Sequence, residues 1–129
     1  MQTVNQLSMF SVVVGDMKKA KEFYAEKLGL AVATDYRQND NNWWVTLTFP
    51  GGGASITLAR SSTTHNEPPK PDTISFYLST ADIGAAHKEL NEKGVKTSEV
   101  QDDLYGPGSG VKFFQLRDPD GNQVTFAQE

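Results

Sequence analysis

A repeat constrains this chain more than any other feature. Residues 9–30 read MFSVVVGDMKKAKEFYAEKLGL and residues 75–95 read SFYLSTADIGAAHKELNEKGV. Both run from an apolar strand through an aspartate into an amphipathic stretch that ends at a glycine. Asp16 aligns with Asp82, and either carboxylate can accept an orphan N–H at a helix start. Met17, Ala20, Tyr24 and Leu28 follow helical spacing, as do Ile83, Ala86 and Leu90. Gly29 and Gly94 close the two stretches, because glycine best tolerates the left-handed cap. The hairpins repeat too. WWVTLTF (43–49) and SITLA (55–59) flank PGGGA, while VKFFQL (111–116) and QVTFA (123–127) flank DPDGN. Ile56-Thr57-Leu58-Ala59 matches Val124-Thr125-Phe126-Ala127 at an offset of 68 residues (124 − 56), against 66 (82 − 16) for the helices. A near-constant offset over strand, helix and hairpin predicts two copies of a βαβββ unit within one domain, 1–129. The first copy takes residues 7–60 and the second 73–129, joined by the polar, proline-rich linker SSTTHNEPPKPD (61–72). A second loop, QDDLYGPGSG (101–110), is glycine-rich.

Composition removes several classes of function. The chain of 129 residues is 37% hydrophobic and 22% charged, enough for a core without staples. It has no cysteine, so disulfides, thiolate metal sites and cysteine nucleophiles are excluded. The net charge is −4 with no lysine- or arginine-rich block, so a nucleic-acid partner is not expected. MQTVNQLSMFSVVVGD carries no basic n-region and no long apolar run. No segment approaches the roughly 20 apolar residues of a membrane span. The expectation is a cytoplasmic protein with no membrane partner.

The run VVVGDMKKAKEFYAEKLGL, the duplicated unit and the DPDGN turn resemble the vicinal oxygen chelate superfamily. That group includes glyoxalase I, extradiol dioxygenases, fosfomycin-resistance enzymes and bleomycin-resistance proteins, and the resemblance covers residues 7–128. It implies an α+β fold: two tandem βαβββ modules forming curved, cupped mixed sheets with the helices on the outer face, around an open cavity. It also implies a homodimer. In metal-dependent relatives one ligand lies on a module's first strand and another on its last. The glyoxalase I ligand seven residues before the VGD aspartate corresponds to Met9, and the ligand four residues after the DPDG glycine corresponds to Thr125. The repeat adds Thr57 and Ser75. A thioether prefers soft ions and neutral hydroxyls bind hard ions weakly, so neither a metal nor another cofactor is expected.

Alternation along the strands then assigns faces. With Thr57 and Thr125 facing the cavity, Ile56, Leu58, Val124 and Phe126 face the helices. Aligning Phe49 with Leu116 places Trp44, Thr46 and Thr48 opposite Val111, Phe113 and Gln115 on the cavity side. Trp43, Val45, Leu47, Phe114 and Leu116 are then expected in the core. The expected ligand-binding set is Met9, Ser11, Trp44, Thr46, Thr57, Ser75, Tyr77, Phe113, Gln115 and Thr125, with Tyr105 of the glycine-rich loop closing over it. This wall has aromatic faces, hydroxyls, an amide and no charge. It suits a planar organic ligand and holds no group that titrates near neutral pH, so no catalytic residue is assigned. The first reading is a metal-free protein that sequesters a small molecule, as bleomycin-type resistance proteins do. The second is a metal-dependent lyase, isomerase or dioxygenase with relocated ligands drawn from His65, Glu67, His87, Gln115 and Gln123.

Overall fold

The computed structural model describes residues 3–4, 6–61 and 74–128. The linker after Ser61, with His65 and Glu67, lies outside the described residues. Two compact units divide the chain, Met1–Asp72 and Thr73–Glu129.

The first unit runs β1 (Met9–Val13), α1 (Met17–Lys21) with a π-helical extension (Glu22–Lys27), β2 (Ala31–Asn39), β3 (Asn42–Thr48) and β4 (Ser55–Ser61). Its sheet order is β1-β4-β3-β2, with β1 and β4 parallel and the other pairs antiparallel. The β2–β3 ladder shifts register between Val32 and Thr34 and again between Arg37 and Asn39. Asp16 caps α1 as expected, its carboxylate accepting from the Lys19 N–H at 3.1 Å. The second half of the helix departs from the expected periodicity. Leu28 N–H donates to the Phe23 carbonyl, a five-residue step. One extra residue in a turn rotates the next turn by about 100°. Phe23, three residues after Ala20, shares the core with Met17, Ala20 and Tyr24, its ring edge-on to Tyr24 at 5.0 Å, while Leu28, beyond the widened turn, is only half-buried. Val12, Val45, Leu47, Ile56 and Leu58 bury the helix-facing side of the sheet.

The second unit runs β5 (Ser75–Thr80), α2 (Ile83–Glu92), β6 (Phe113–Arg117) and β7 (Gln123–Gln128), in the order β5-β7-β6 with β5 and β7 parallel. Asp82 caps α2 by accepting from the Ala85 N–H at 3.0 Å. The fourth strand of this module is reduced to two antiparallel bridges, Thr97 to Leu116 and Gln101 to Phe113, so residues 97–101 still line the far side of β6. Val111 lies outside β6, whose first residue is Phe113. Phe114, Leu116 and Val124 are buried beneath α2, and Phe114 stacks on Phe126 at 5.0 Å.

The DPDGN turn is a buried polar knot. Asp118 Oδ1 accepts from the N–H of Asp120 and of Asn122, and Asp118 Oδ2 accepts from Asn122 Nδ2. Asn122 Oδ1 in turn accepts from the Ile74 N–H at 2.7 Å, tying the hairpin to the start of β5. Both Asp118 and Asn122 are buried. Asn122→Ala would remove the side-chain donor to Asp118 Oδ2 and the acceptor of the Ile74 N–H together. We expect it to lower stability by about 2–4 kcal/mol, read as a lower urea midpoint at unchanged m-value.

Candidate functional site

The face of each sheet turned away from its helix carries the expected ligand-binding residues. In the first module three cross-strand rows form it. Met9 pairs with Ser55, and Ser11 with Thr57, which pairs with Thr46 and through it reaches Thr34. Val13 pairs with Ala59, then Trp44, then Tyr36. The hydroxyls of Thr46 and Thr57 lie 3.2 Å apart, and Thr57 Oγ1 donates to Met9 Sδ at 3.3 Å. The rings of Tyr36 and Trp44 lie 5.8 Å apart at 40°, with small Ala59 beside the indole. Tyr36, 61% exposed, was not among the expected residues; the alternation Thr34, Tyr36 was the signal that could have found it.

In the second module Tyr77 pairs with Thr125, which pairs with Gln115, and Gln115 Nε2 donates to Thr125 Oγ1 at 3.4 Å. Ser79, Ala127 and Phe113 form the row on one side, and Ser75, Gln123 and Arg117 the row on the other. Thr125 is fully buried at the floor while Tyr77 is 63% exposed. Tyr105 stands 78% exposed on the glycine-rich loop.

These registers correct three expectations. Trp44 and Phe113 each pair with an alanine, and Thr46 and Gln115 each pair with a threonine. The strands therefore align Thr46 with Gln115, not Thr48 with Gln115, because β6 starts at Phe113 rather than Val111. The wall is also not free of charge, since alternation from Gln115 carries Arg117 onto the same face. Finally, Trp43 does face the helix side but is only half-buried. Its Nε1–H donates to Asp35 Oδ1 at 2.7 Å, Arg37 lies over its ring at 4.7 Å, and Lys21 pairs with Asp35. The indole sits at the polar flank of the core beside α1, where its N–H finds an acceptor. The Lys21 ammonium, then the Trp43 N–H, holds the Asp35 carboxyl below the usual carboxylate range.

The positions where the family resemblance puts metal ligands can be tested for fit. Met9 and Thr57 converge in the first module, but as a thioether accepting from a hydroxyl. In the second module, Thr125 accepts from an amide, and Ser75 lies one row away. Neutral oxygens and a thioether do not fit a divalent first-row ion. Among the described residues the relocated donors do not converge either. His87 rests edge-on against Phe114, with Nε2 3.0 Å from the Ser98 carbonyl, on the helix side of its sheet. Gln115 and Gln123 occupy the opposite face. Among the described residues no group of three or more His, Asp or Glu side chains could hold a metal.

The model of the Glyoxalase/Bleomycin resistance protein/Dioxygenase superfamily matches residues 6–126. The chain is similar in structure to TnmS3, an antibiotic binding protein from Streptomyces sp. CB03234. The TM-score is 0.81 at 26% identity, covering 99% of this chain and 98% of that one. It is equally similar to a superfamily member from Sphaerobacter thermophilus DSM 20745, with TM-score 0.80, 27% identity and coverage of 99% and 100%. The Bacillus subtilis (strain 168) protein YwkD is 27% identical over 114 residues, 85% of this chain and 86% of its own length.

The neighbouring tryptophans give a direct check of the register. Trp43→Ala should cost about 2 kcal/mol of folding stability, less than the roughly 3–5 of a fully buried tryptophan, because the indole is half-exposed. Trp44→Ala removes an equally half-buried indole packed on Tyr36, without the Asp35 hydrogen bond that Trp43 makes, and should cost less, about 1 kcal/mol. Denaturant melts of the two variants measure both. Trp43→Phe keeps an aromatic ring but removes the indole N–H, and should raise the Asp35 pKa toward its usual value, seen by NMR titration. Because the folded pKa is depressed, the Asp35 contribution to stability is present above about pH 4 and lost as pH falls through the folded value, so this variant should flatten the acid limb.

Proposed function

The chain belongs to the glyoxalase/bleomycin resistance protein/dioxygenase superfamily, and from that premise we propose that it is a metal-free protein that binds and sequesters a small aromatic or antibiotic-like molecule. One observation carries the reading. The sheet face on which the superfamily's metal ligands are expected holds Met9 and Thr57 hydrogen-bonded to each other, beside an aromatic pair of exposed Tyr36 and half-buried Trp44. Such a face can stack a planar ring and satisfy a few hydroxyl-scale hydrogen bonds, but it offers nothing to polarise a substrate or move a proton. The likeness to an antibiotic binding protein over nearly the whole chain supports the same reading.

A cytoplasmic homodimer completes the proposal. Exposed Leu7 and Met9 at the start of the first module and Tyr77 in the second are apolar surface of the kind that subunit pairing covers. No described helix is long and apolar enough to cross a membrane. Light scattering at micromolar concentration should give twice the mass of the 14.2 kDa chain.

Titration of an antibiotic and polycyclic-aromatic panel, followed by tryptophan emission, tests the binding reading. At least one member should quench the wild type, and Trp44→Ala should weaken it about tenfold to a hundredfold. EDTA should leave both the affinity and the melting temperature unchanged, because no metal adds linkage free energy. Stoichiometric metal surviving dialysis, with a melting temperature that EDTA lowers, would overturn the metal-free assignment.

A further inference from the structure

The second module's open face carries a charge that the first lacks, a guanidinium. Ser75, Gln123 and Arg117 stand side by side on three adjacent strands. Adjacent strands lie about 4.8 Å apart, so a hydroxyl, an amide and a guanidinium form one short row of hydrogen-bond donors. Arg117 is exposed, and Phe114 and Leu116 on the other side of the same strand are buried, which fixes the face it occupies. Its Nη1 donates to the Gly121 carbonyl at 2.9 Å, holding the side chain against its own turn. Among the described residues it has no carboxylate partner, whereas Arg37 pairs with Asp40, and Arg60 donates to the carbonyls of Asp40 and Gly15. The corresponding edge of the first module, Met9 paired with Ser55 and, by alternation on β3, Thr48, holds no charge.

Resting on the reading of these faces as ligand-binding, we propose that Arg117 is the counter-charge for an acidic group, so that the natural ligand is an organic anion, a carboxylate or comparable oxyacid on an aromatic frame. A guanidinium offers two parallel N–H donors matched to a carboxylate. Gln123 and Ser75 beside it can donate to the same oxygens. A neutral ligand could accept only ordinary hydrogen bonds from the row and would forgo the stronger charge-assisted pair. A cationic ligand would be repelled by it.

Matched probes separate this inference from the binding reading beneath it. Naphthalene-2-carboxylate and naphthalene-2-carboxamide differ at one substituent, an anionic carboxylate against a neutral amide of the same shape, and both are titrated by calorimetry into wild type, Arg117→Gln and Arg117→Lys at pH 7. The carboxylate should bind the wild type roughly tenfold tighter than the carboxamide. Arg117→Gln should bind the two alike. Arg117→Lys should keep part of the preference, since it retains the charge and loses the planar fork. Thermal melts of all three proteins verify that the Gly121 turn holds. Equal affinities for the two probes in the wild type overturn the anion assignment while leaving the binding reading intact. A carboxylate preference that persists in Arg117→Gln overturns the role of Arg117. Failure of both probes to bind the wild type counts against the open face as a binding surface, and the inference falls with it.

Discussion

The parallel pairing of first strand with last strand sets the rest of each module. A parallel pair cannot be closed by a tight turn; it requires a long crossover, and a helix packed on one side of the sheet supplies it. Hence α1 follows β1 and α2 follows β5, each capped by an aspartate at the point where the chain leaves the sheet. The same pairing sets Met9 beside Ser55 and Ser11 beside Thr57, so side chains more than 40 residues apart in sequence share one face. Once the helix covers one side, strand alternation leaves the other side open. The chemistry of the module is then decided by which residues fall on odd positions of β1 and β4 and even positions of β3.

Much of this is legible in the residues themselves. The duplicated aspartate-helix-glycine pattern and the Ile-Thr-Leu-Ala and Val-Thr-Phe-Ala strands mark the modules and the orientation of Thr57 and Thr125, because period-two alternation admits only two choices and the apolar residues select one. Three features are less legible, for physical reasons. Leu28 fits a 3.6-residue period on paper, but the turn after Phe23 widens by a residue and carries it to the margin of the core, an outcome that packing decides and periodicity cannot. Trp43 reads as core by alternation, yet an indole N–H needs an acceptor, and Asp35 at the flank of the sheet provides it. Arg117 escapes the apolar pattern because the run VKFFQL stops at Leu116, one residue before the ladder with Gln123 ends.

The two faces therefore share an architecture and differ in polarity. The first is built of hydroxyls that partly satisfy one another, with an aromatic pair at one end. The second has a buried threonine floor, a half-exposed amide and a guanidinium at its margin. Duplication supplied two copies of one scaffold, and substitution at matched positions, Trp44 against Phe113, Thr46 against Gln115 and Thr48 against Arg117, made them unequal.

Strand β2 has a consequence of its own. It is the last strand in its sheet, so one row of its N–H and C=O groups has no ladder partner within the first module. A regular nine-residue edge would be a template for another chain, and such templating is how soluble sheet proteins convert to fibrils. The register shifts at Val32/Thr34 and Arg37/Asn39 break that edge into short lengths, and Asp35 and Arg37 place both signs of charge between them. The irregularity of β2 thus protects colloidal behaviour. A variant that straightened this strand could fold more tidily and still be lost from solution.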